Sequence, residues 1–356
     1  MRARRRSGPR RLALLAWSTL VVWVSGSPAI AVTPGHGPYF PPDAPWYQDI
    51  STAPLDGQSG AVISWLSSVG GWGGGVMQID FSIEVLEADA ATPFRTFTPT
   101  GDFFDPDCDD VPMPLPDGGA LEGESAYRCT HNGDCHLLVA DPAGGNLYEM
   151  WRANLVNTTF FGGCLAVWRM DLTYPDVGRG ENCTSADAAG FPIAPLLANA
   201  DEVAAGQVSH ALRFILPNSR IRNGVYVHPA THSTDSTSGG PNAPPYGARL
   251  RLRADYPLAS LPNSAARTLA RAMQRYGILL SDGGTIALTV QSDRFTTAKW
   301  SSLLGPLDLD ALQVTDFEMV AGGSRIPYTG DCARVDPVFV DGFEVGDLSK
   351  WGATFP

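Results

Sequence analysis

The chain has 356 residues, 44% hydrophobic and 10% aromatic, with 38 Gly and 29 Pro. That is enough apolar material for a real core and too little bias for a collagen or a disordered chain. Acidic residues number 37 against 25 basic ones, a net charge of −12, and a field of that sign repels phosphate backbones, so nucleic acid is excluded as a partner.

The first 31 residues read as a secretory signal peptide. Arg2, Arg4, Arg5, Arg6, Arg10 and Arg11 form a positive opening, Leu12 to Val24 an apolar run, and Ala29-Ile30-Ala31 a small-residue cleavage site. The run is shorter than the ~18 residues a spanning helix needs, and nothing later is longer, so no membrane span is expected. Cleavage leaves 19 basic residues against 37 acidic ones, a net charge of about −18. The mature protein is expected outside the cell or at its surface.

Residues 32–326 read as one β-rich domain, and 327–356 as a C-terminal tail. Asp56 to Val69 predicts a short helix, with Ala61, Trp65 and Val69 on its apolar face. Val76 to Leu86 alternates polar and apolar residues as a half-buried strand does. Further strands are expected at 136–140, 146–152, 164–171, 210–216, 225–228, 248–254, 285–290 and 315–320. A brief helix is read at Asp201 to Ala205, and a longer one over Ser264 to Tyr276, capped by Asn263 and stopped by Gly277. Many short strands with one packed helix predict a mainly β fold, a single β-sandwich or jelly roll, in a monomer.

The six cysteines all follow the signal peptide, an even count that predicts disulfides in an exported chain. Local pairing favours Cys129 with Cys135 and Cys164 with Cys183.

Several stretches together resemble an uncharacterised family of secreted bacterial proteins. They are Asp43-Ala44-Pro45-Trp46, Gly133-Asp134-Cys135-His136, Tyr148-Glu149-Met150-Trp151 and Ser185-Ala186-Asp187-Ala188-Ala189-Gly190. Asp201 to Gly206 leading to His210, Gly247-Ala248-Arg249-Leu250, and Ala270 to Gly277 before Asp282-Gly283-Gly284 complete the pattern. The resemblance implies one domain and an extracellular setting, and brings no activity. The ending from Asp341 to Trp351 is similar to the tails of many secreted bacterial proteins.

The densest polar group is Glu122, Glu124, His131, Asp134, His136, Asp141 and Glu149. If 136–140 and 146–152 pair as a hairpin, His136 and Glu149 sit on neighbouring strands. A carboxylate beside an imidazole suits acid/base work on a glycosidic bond, and the same groups also serve to bridge strands and turns. The expected catalytic set is Glu149, Asp134 and His136, with His210 completing the groove. Trp151, Tyr148, Arg251 and His232 are the expected substrate contacts, aromatic rings supplying flat faces for sugars.

Three other patterns are weighed. His228-Pro229-Ala230-Thr231-His232 has a helical chelate spacing, but Pro229 after a strand opposes the helix it needs. Asp105, Asp107 and Asp109 have the spacing of calcium ligands without the rest of an EF-hand, which leaves an irregular calcium site or a solvated loop as alternatives. Arg249, Arg251 and Arg253 share one strand face, either for an acidic polysaccharide or paired with neighbouring acids. No other cofactor is indicated. The expected function is a secreted carbohydrate-active enzyme acting on a polysaccharide or surface glycan, foremost a glycoside hydrolase. The alternatives are a non-catalytic glycan binder and a polysaccharide lyase.

Overall fold

The computed structural model describes residues 33–35, 37–130 and 132–335. The signal peptide, His131 and the Asp341–Trp351 ending lie outside the described residues. In chain order the main elements are β1 (Thr33–Pro34), α1 (Ser59–Ser68), β2 (Ile79–Ile83), β3 (Val85–Glu87), β4 (Leu137–Asp141), β5 (Asn146–Trp151) and β6 (Cys164–Arg169). After these come α2 (Ala200–Ala204), β7 (Leu212–Leu216), β8 (Arg249–Leu252), α3 (Ser264–Arg275), β9 (Ile278–Gly283), β10 (Leu288–Gln291) and β11 (Phe317–Met319).

Two sheets carry the fold. The first has the order β1-β3-β4-β5-β6 and the second β11-β8-β9-β7-β10-β2. The chain is thus β-rich as its sequence indicates, with mixed pairing: β3 runs parallel to β4, β7 to β9, and β10 to β2. One continuous core takes Leu138, Leu147, Ala166 and Trp168 from the first sheet and Ile79, Phe214, Leu280 and Leu288 from the second. The other face of the first sheet presents Leu137, Val139, Tyr148, Met150 and Leu165 to a smaller core with Met113, Leu121 and Phe160. Period-two alternation along β4 and β5 is therefore apolar on both faces, which is why these strands read as nearly continuous hydrophobic runs.

The long helix forms as its residues dictate. The Asn263 side chain accepts the Ala266 N–H at 2.8 Å, and Ala266, Leu269, Ala270 and Met273 turn inward. Gly277 ends it with φ +74°, where a Cβ would also stand 2.7 Å from the Leu250 carbonyl oxygen. In α1 the buried face is Val62, Ile63 and Leu66, and Ala61 and Val69 are exposed. This corrects the expected stripe: Val62, Ile63 and Leu66 share the three-and-four spacing that Ala61 and Trp65 also show, so periodicity alone could not choose the face. Strand β9, the central partner of both β7 and β8, was not anticipated, because Ile278-Leu279-Leu280 is too short an apolar run to separate from the helix before it.

Disulfides join Cys108 to Cys164, Cys129 to Cys135 and Cys183 to Cys332. The Cys129–Cys135 pair is as expected, and the Cys164–Cys183 pair is not formed. Cys164 opens β6, where the Asp109 N–H bonds to the Leu165 carbonyl at 2.8 Å and brings Cys108 alongside instead. The Cys183–Cys332 bond fastens the segment after Ile326, as do the pairings of Val225–Tyr226 with Ile326–Pro327 and of Gly180–Glu181 with Ala333–Arg334. Residues 327–335, expected in the tail, are part of the folded body. No helix among the described residues is long and apolar enough to cross a membrane.

Candidate functional site

The hairpin β4–β5 forms as expected, with Leu138 opposite Glu149 and Asp141 opposite Asn146. Even-numbered β4 residues and odd-numbered β5 residues share a face, so His136 and Glu149 do point the same way. That face is the interior between the sheets. There they meet a strap, residues 184–197, that runs between the two sheets' side chains.

Glu149 is fully buried. Its Oε1 accepts the N–H groups of Ile193 at 2.9 Å and Ala194 at 2.8 Å, and its Oε2 accepts Ile193 at 3.0 Å. The carboxylate thereby closes the open amides at the start of the turn Ala194–Leu196. Burial pushes its pKa up to about 7 against the pull of those N–H groups. His136 is likewise buried; its Nδ1 donates to Glu122 Oε2 at 2.6 Å and its Nε2 to the Ala186 carbonyl at 3.0 Å. Burial alone would lower its pKa, but the Glu122 charge and bond raise it to about 9, so an imidazolium is held there. The expected catalytic pair are thus two pins on the strap, Glu149 at one end and His136 at the other, and neither lines a cleft.

The strap walls two clefts. The first, of about 600 Å³, takes Ala194, Pro195 and Leu197 from the strap and adds Tyr39, Phe40, Tyr47, Glu202 and His210. His210 donates from Nδ1 to the Ala211 carbonyl at 2.7 Å and places Nε2 3.5 Å from Glu202 Oε2. Burial works to lower its pKa, and Glu202 overcomes this and raises it. Glu202 is already committed to the capping box of α2, accepting the Asn199 N–H at 3.0 Å. This cleft is apolar, with one engaged ion pair at its edge.

The second cleft, of about 450 Å³, takes Thr184, Ala186, Asp187 and Ala188 from the strap and adds Phe104, Asp134, Trp151, His232, Asp235, Asp282 and Tyr328. Trp151 Nε1 donates to Asp134 Oδ1 at 2.8 Å. His232 Nδ1 must donate to the Ala188 carbonyl at 2.7 Å, so Nε2 accepts the Tyr328 hydroxyl at 3.0 Å. Burial keeps the His232 pKa below its ordinary value, which preserves this neutral tautomer. Each ring is therefore fixed by a side-chain partner.

An ion-pair cluster stands behind this cleft. Arg213 grips Asp187 through Nε at 3.0 Å and Nη2 at 2.8 Å, reaches Asp282 Oδ2 at 3.2 Å, and donates from Nη1 to Thr289 at 2.9 Å. The Asp187 side chain is 0% exposed, whereas that of Asp282 keeps 29%, so Asp282 is the member that meets the cleft. Burial, followed by the Asp187 charge, pushes the Asp282 pKa up to about 7 against the attraction of Arg213. A carboxylic acid that retains its proton near neutrality is thus available at an aromatic-walled cleft.

The expected site residues consequently divide. Asp134, Trp151 and His232 come together in the second cleft, His210 lies in the first, and His136 and Glu149 are sealed. Tyr148 faces the smaller core and meets Phe94 edge to face at 5.9 Å, so it offers no sugar platform. Arg251 is not a substrate contact either: it is bound to Glu318 at 2.6 Å and 2.9 Å and to the Ile50 and Ala53 carbonyls. Its register partner on β11 is that same Glu318, the paired alternative for the arginine face. At the expected calcium loop, Asp107 accepts the Thr184 N–H at 2.8 Å and Asp109 accepts Arg179, Arg334 and the Val167 N–H, so donors stand where a cation would. The one close grouping of metal-type ligands among the described residues, Glu124 with Cys129 and Cys135, has both sulfurs in a disulfide and no thiolate to offer.

Asp187, Arg213, Asp282 and Tyr328 were not singled out from sequence as site residues. Asp187 and Asp282 did stand inside the Ser185–Gly190 and Asp282-Gly283-Gly284 stretches, which were the available signal. Comparison with protein families, curated proteins and solved structures finds no match for this chain.

Proposed function

We propose that this chain is an exported carbohydrate-active enzyme, a monomeric glycoside hydrolase whose working site is the acidic cleft. Asp282 is the proton donor and Asp134 the second carboxyl group, on the other side of the scissile bond. Hydrolysis of a glycosidic bond needs two carboxyl groups whose environments split their protonation, one held neutral and one charged. The observation that carries the reading is Asp282 itself, part-exposed in the cleft and raised to about 7 beside the buried Asp187–Arg213 pair. Trp151, Tyr328 and the 53%-exposed Phe104 supply the flat apolar faces on which sugar rings stack. Three disulfides with no free cysteine support an oxidising, extracellular setting, in keeping with the signal-peptide reading.

The test is release of reducing ends from a panel of polysaccharides. Asp282→Asn should lower the rate at least ~100-fold, the scale of a lost general acid. Because Asn resembles the protonated acid already favoured there, melting should stay within ~2 °C of the parent. Retention on a polymer without shortening it would replace hydrolysis by glycan binding, the reading that exposed Phe104 favours. Release of unsaturated sugars would move the chemistry to a lyase.

A further inference from the structure

The hydrogen-bonding groups that line the acidic cleft have already spent most of their protons. Trp151 gives its indole N–H to Asp134 at 2.8 Å, His232 its Nδ1 proton to the Ala188 carbonyl at 2.7 Å, and Tyr328 its hydroxyl proton to His232 at 3.0 Å. The Thr184 and Ser185 hydroxyls are turned onto the Ser185 and Phe191 carbonyls at 3.4 Å and 3.0 Å. Apart from the acid proton of Asp282, the Thr234 and Ser236 hydroxyls are the side-chain donors left to a ligand.

Acceptors are in surplus. Neither Lys nor Arg lines the cleft, whereas Asp134, Asp187, Asp235 and Asp282 do. The cation behind it, Arg213, has all three nitrogens engaged by Asp187, Asp282 and Thr289. Asp134 has the Trp151 indole as its partner, and the exposed Asp235 has neither a hydrogen bond nor an ion pair among the described residues. Around these acids stand the rings of Phe104 and Tyr328, whose faces attract a cation. Trp151 already carries one, the Arg152 guanidinium 4.9 Å from its ring centroid.

A glycan bearing carboxylates or sulfates finds no cation in such a wall. The arginine face that would suit it is spent elsewhere: Arg249 on the Tyr276, Pro45 and Gln48 carbonyls, Arg251 on Glu318, and Arg253 on Asp255. A sugar hydroxyl brings one donor, while a protonated amine brings three together with the charge that the acids lack. The net charge of −12 draws such a polymer in and repels a polyanion.

We propose that the substrate class of this cleft, resting on the glycan reading above, is a polysaccharide of amino sugars with free amino groups, and that Asp235 receives an ammonium of the chain. Phe104 and Tyr328 supply the ring faces beside it.

The test is calorimetric titration of the unaltered protein at mildly acidic pH, where a sugar amine keeps its proton. The probes are short glucosamine oligosaccharides, the same oligosaccharides N-acetylated, and glucuronic acid oligosaccharides of equal length. The free amines should bind at least ~10-fold more tightly than their N-acetylated forms, the scale of one cation held against acid and ring, and the uronates should not bind. Asp235→Asn should erase that preference. Equal or weaker binding of the amines, or no binding of them, overturns the proposal, as does a preference that survives in Asp235→Asn, which would come from the surface charge as a whole. The hydrolase reading fails separately: amine-selective binding without release of reducing ends keeps the ligand class and removes the reaction, and release from neutral or uronic polymers in preference to amino ones does the reverse.

Discussion

The apolar cleft around His210 and the acidic cleft around Asp282 are walled by opposite ends of one strap, yet they treat a proton very differently. At the apolar end the ion pair of His210 with Glu202 is bound into the capping of a short helix, and the remaining wall is Tyr, Phe, Pro and Leu. At the acidic end the carboxyl groups outnumber their cation, so one of them, Asp282, holds its proton to about 7. Volume does not separate these clefts: the larger one has less chemistry. What separates them is whether the charged groups are already satisfied, and that follows from which of them the buried Arg213 can reach.

The difference can be broken at the strap. Asp187→Asn removes the charge that Arg213 is built around and leaves a buried guanidinium short of its main partner, an expected loss of about 3–5 kcal/mol in urea unfolding. It should also move the Asp282 titration downward, since the Asp187 charge helps to raise it. The apolar cleft should keep its geometry in this variant, with the His210 proton shifts in NMR unchanged.

Glu149→Gln sharpens the comparison from the other end. One acceptor oxygen is replaced by a donor facing the Ile193 and Ala194 amides, at an expected cost of about 1–3 kcal/mol. Its effect on polysaccharide cleavage should be no greater than this loss of stability accounts for. A catalytic collapse with unchanged melting would restore Glu149 as the reactive acid.

The pH dependence of stability is the smallest effect. Glu84, Glu149 and Asp282 all have folded pKa values raised to about 7, well above their ordinary values. Such acids contribute stability that is fully present below the ordinary carboxyl range and is lost as pH rises through 7. His136, raised to about 9, adds to this fall, its contribution being lost progressively as pH rises from the ordinary histidine value to about 9. Melting temperature should therefore fall by a few degrees between pH 5 and pH 8, and Glu149→Gln should flatten that slope.

The fold was legible where chemistry repeats along the chain. Alternation located β2, strand-forming runs between turns located β4 to β8, β10 and β11 to within a few residues, and Asn263 and Gly277 bracketed α3. It failed where the decisive information is the neighbour across space. Parity put His136 and Glu149 on one face correctly, but nothing in 146–152 says that this face is covered by residues 184–197. Cys164 and Cys183 are near in sequence, while their true partners are chosen by β6 and by the closing segment at 332. The weight of Asp282 is not legible in its own stretch, because it comes from Arg213 and Asp187 on other elements.

The most direct measurement sets the two clefts side by side: rates of reducing-end release by the parent, Asp282→Asn and His210→Gln across pH 4–9. The account predicts parent activity that declines as pH passes about 7, a loss of at least ~100-fold for Asp282→Asn, and His210→Gln within about twofold of the parent. Activity that survives in Asp282→Asn and vanishes in His210→Gln would place the chemistry at the other end of the strap and contradict it.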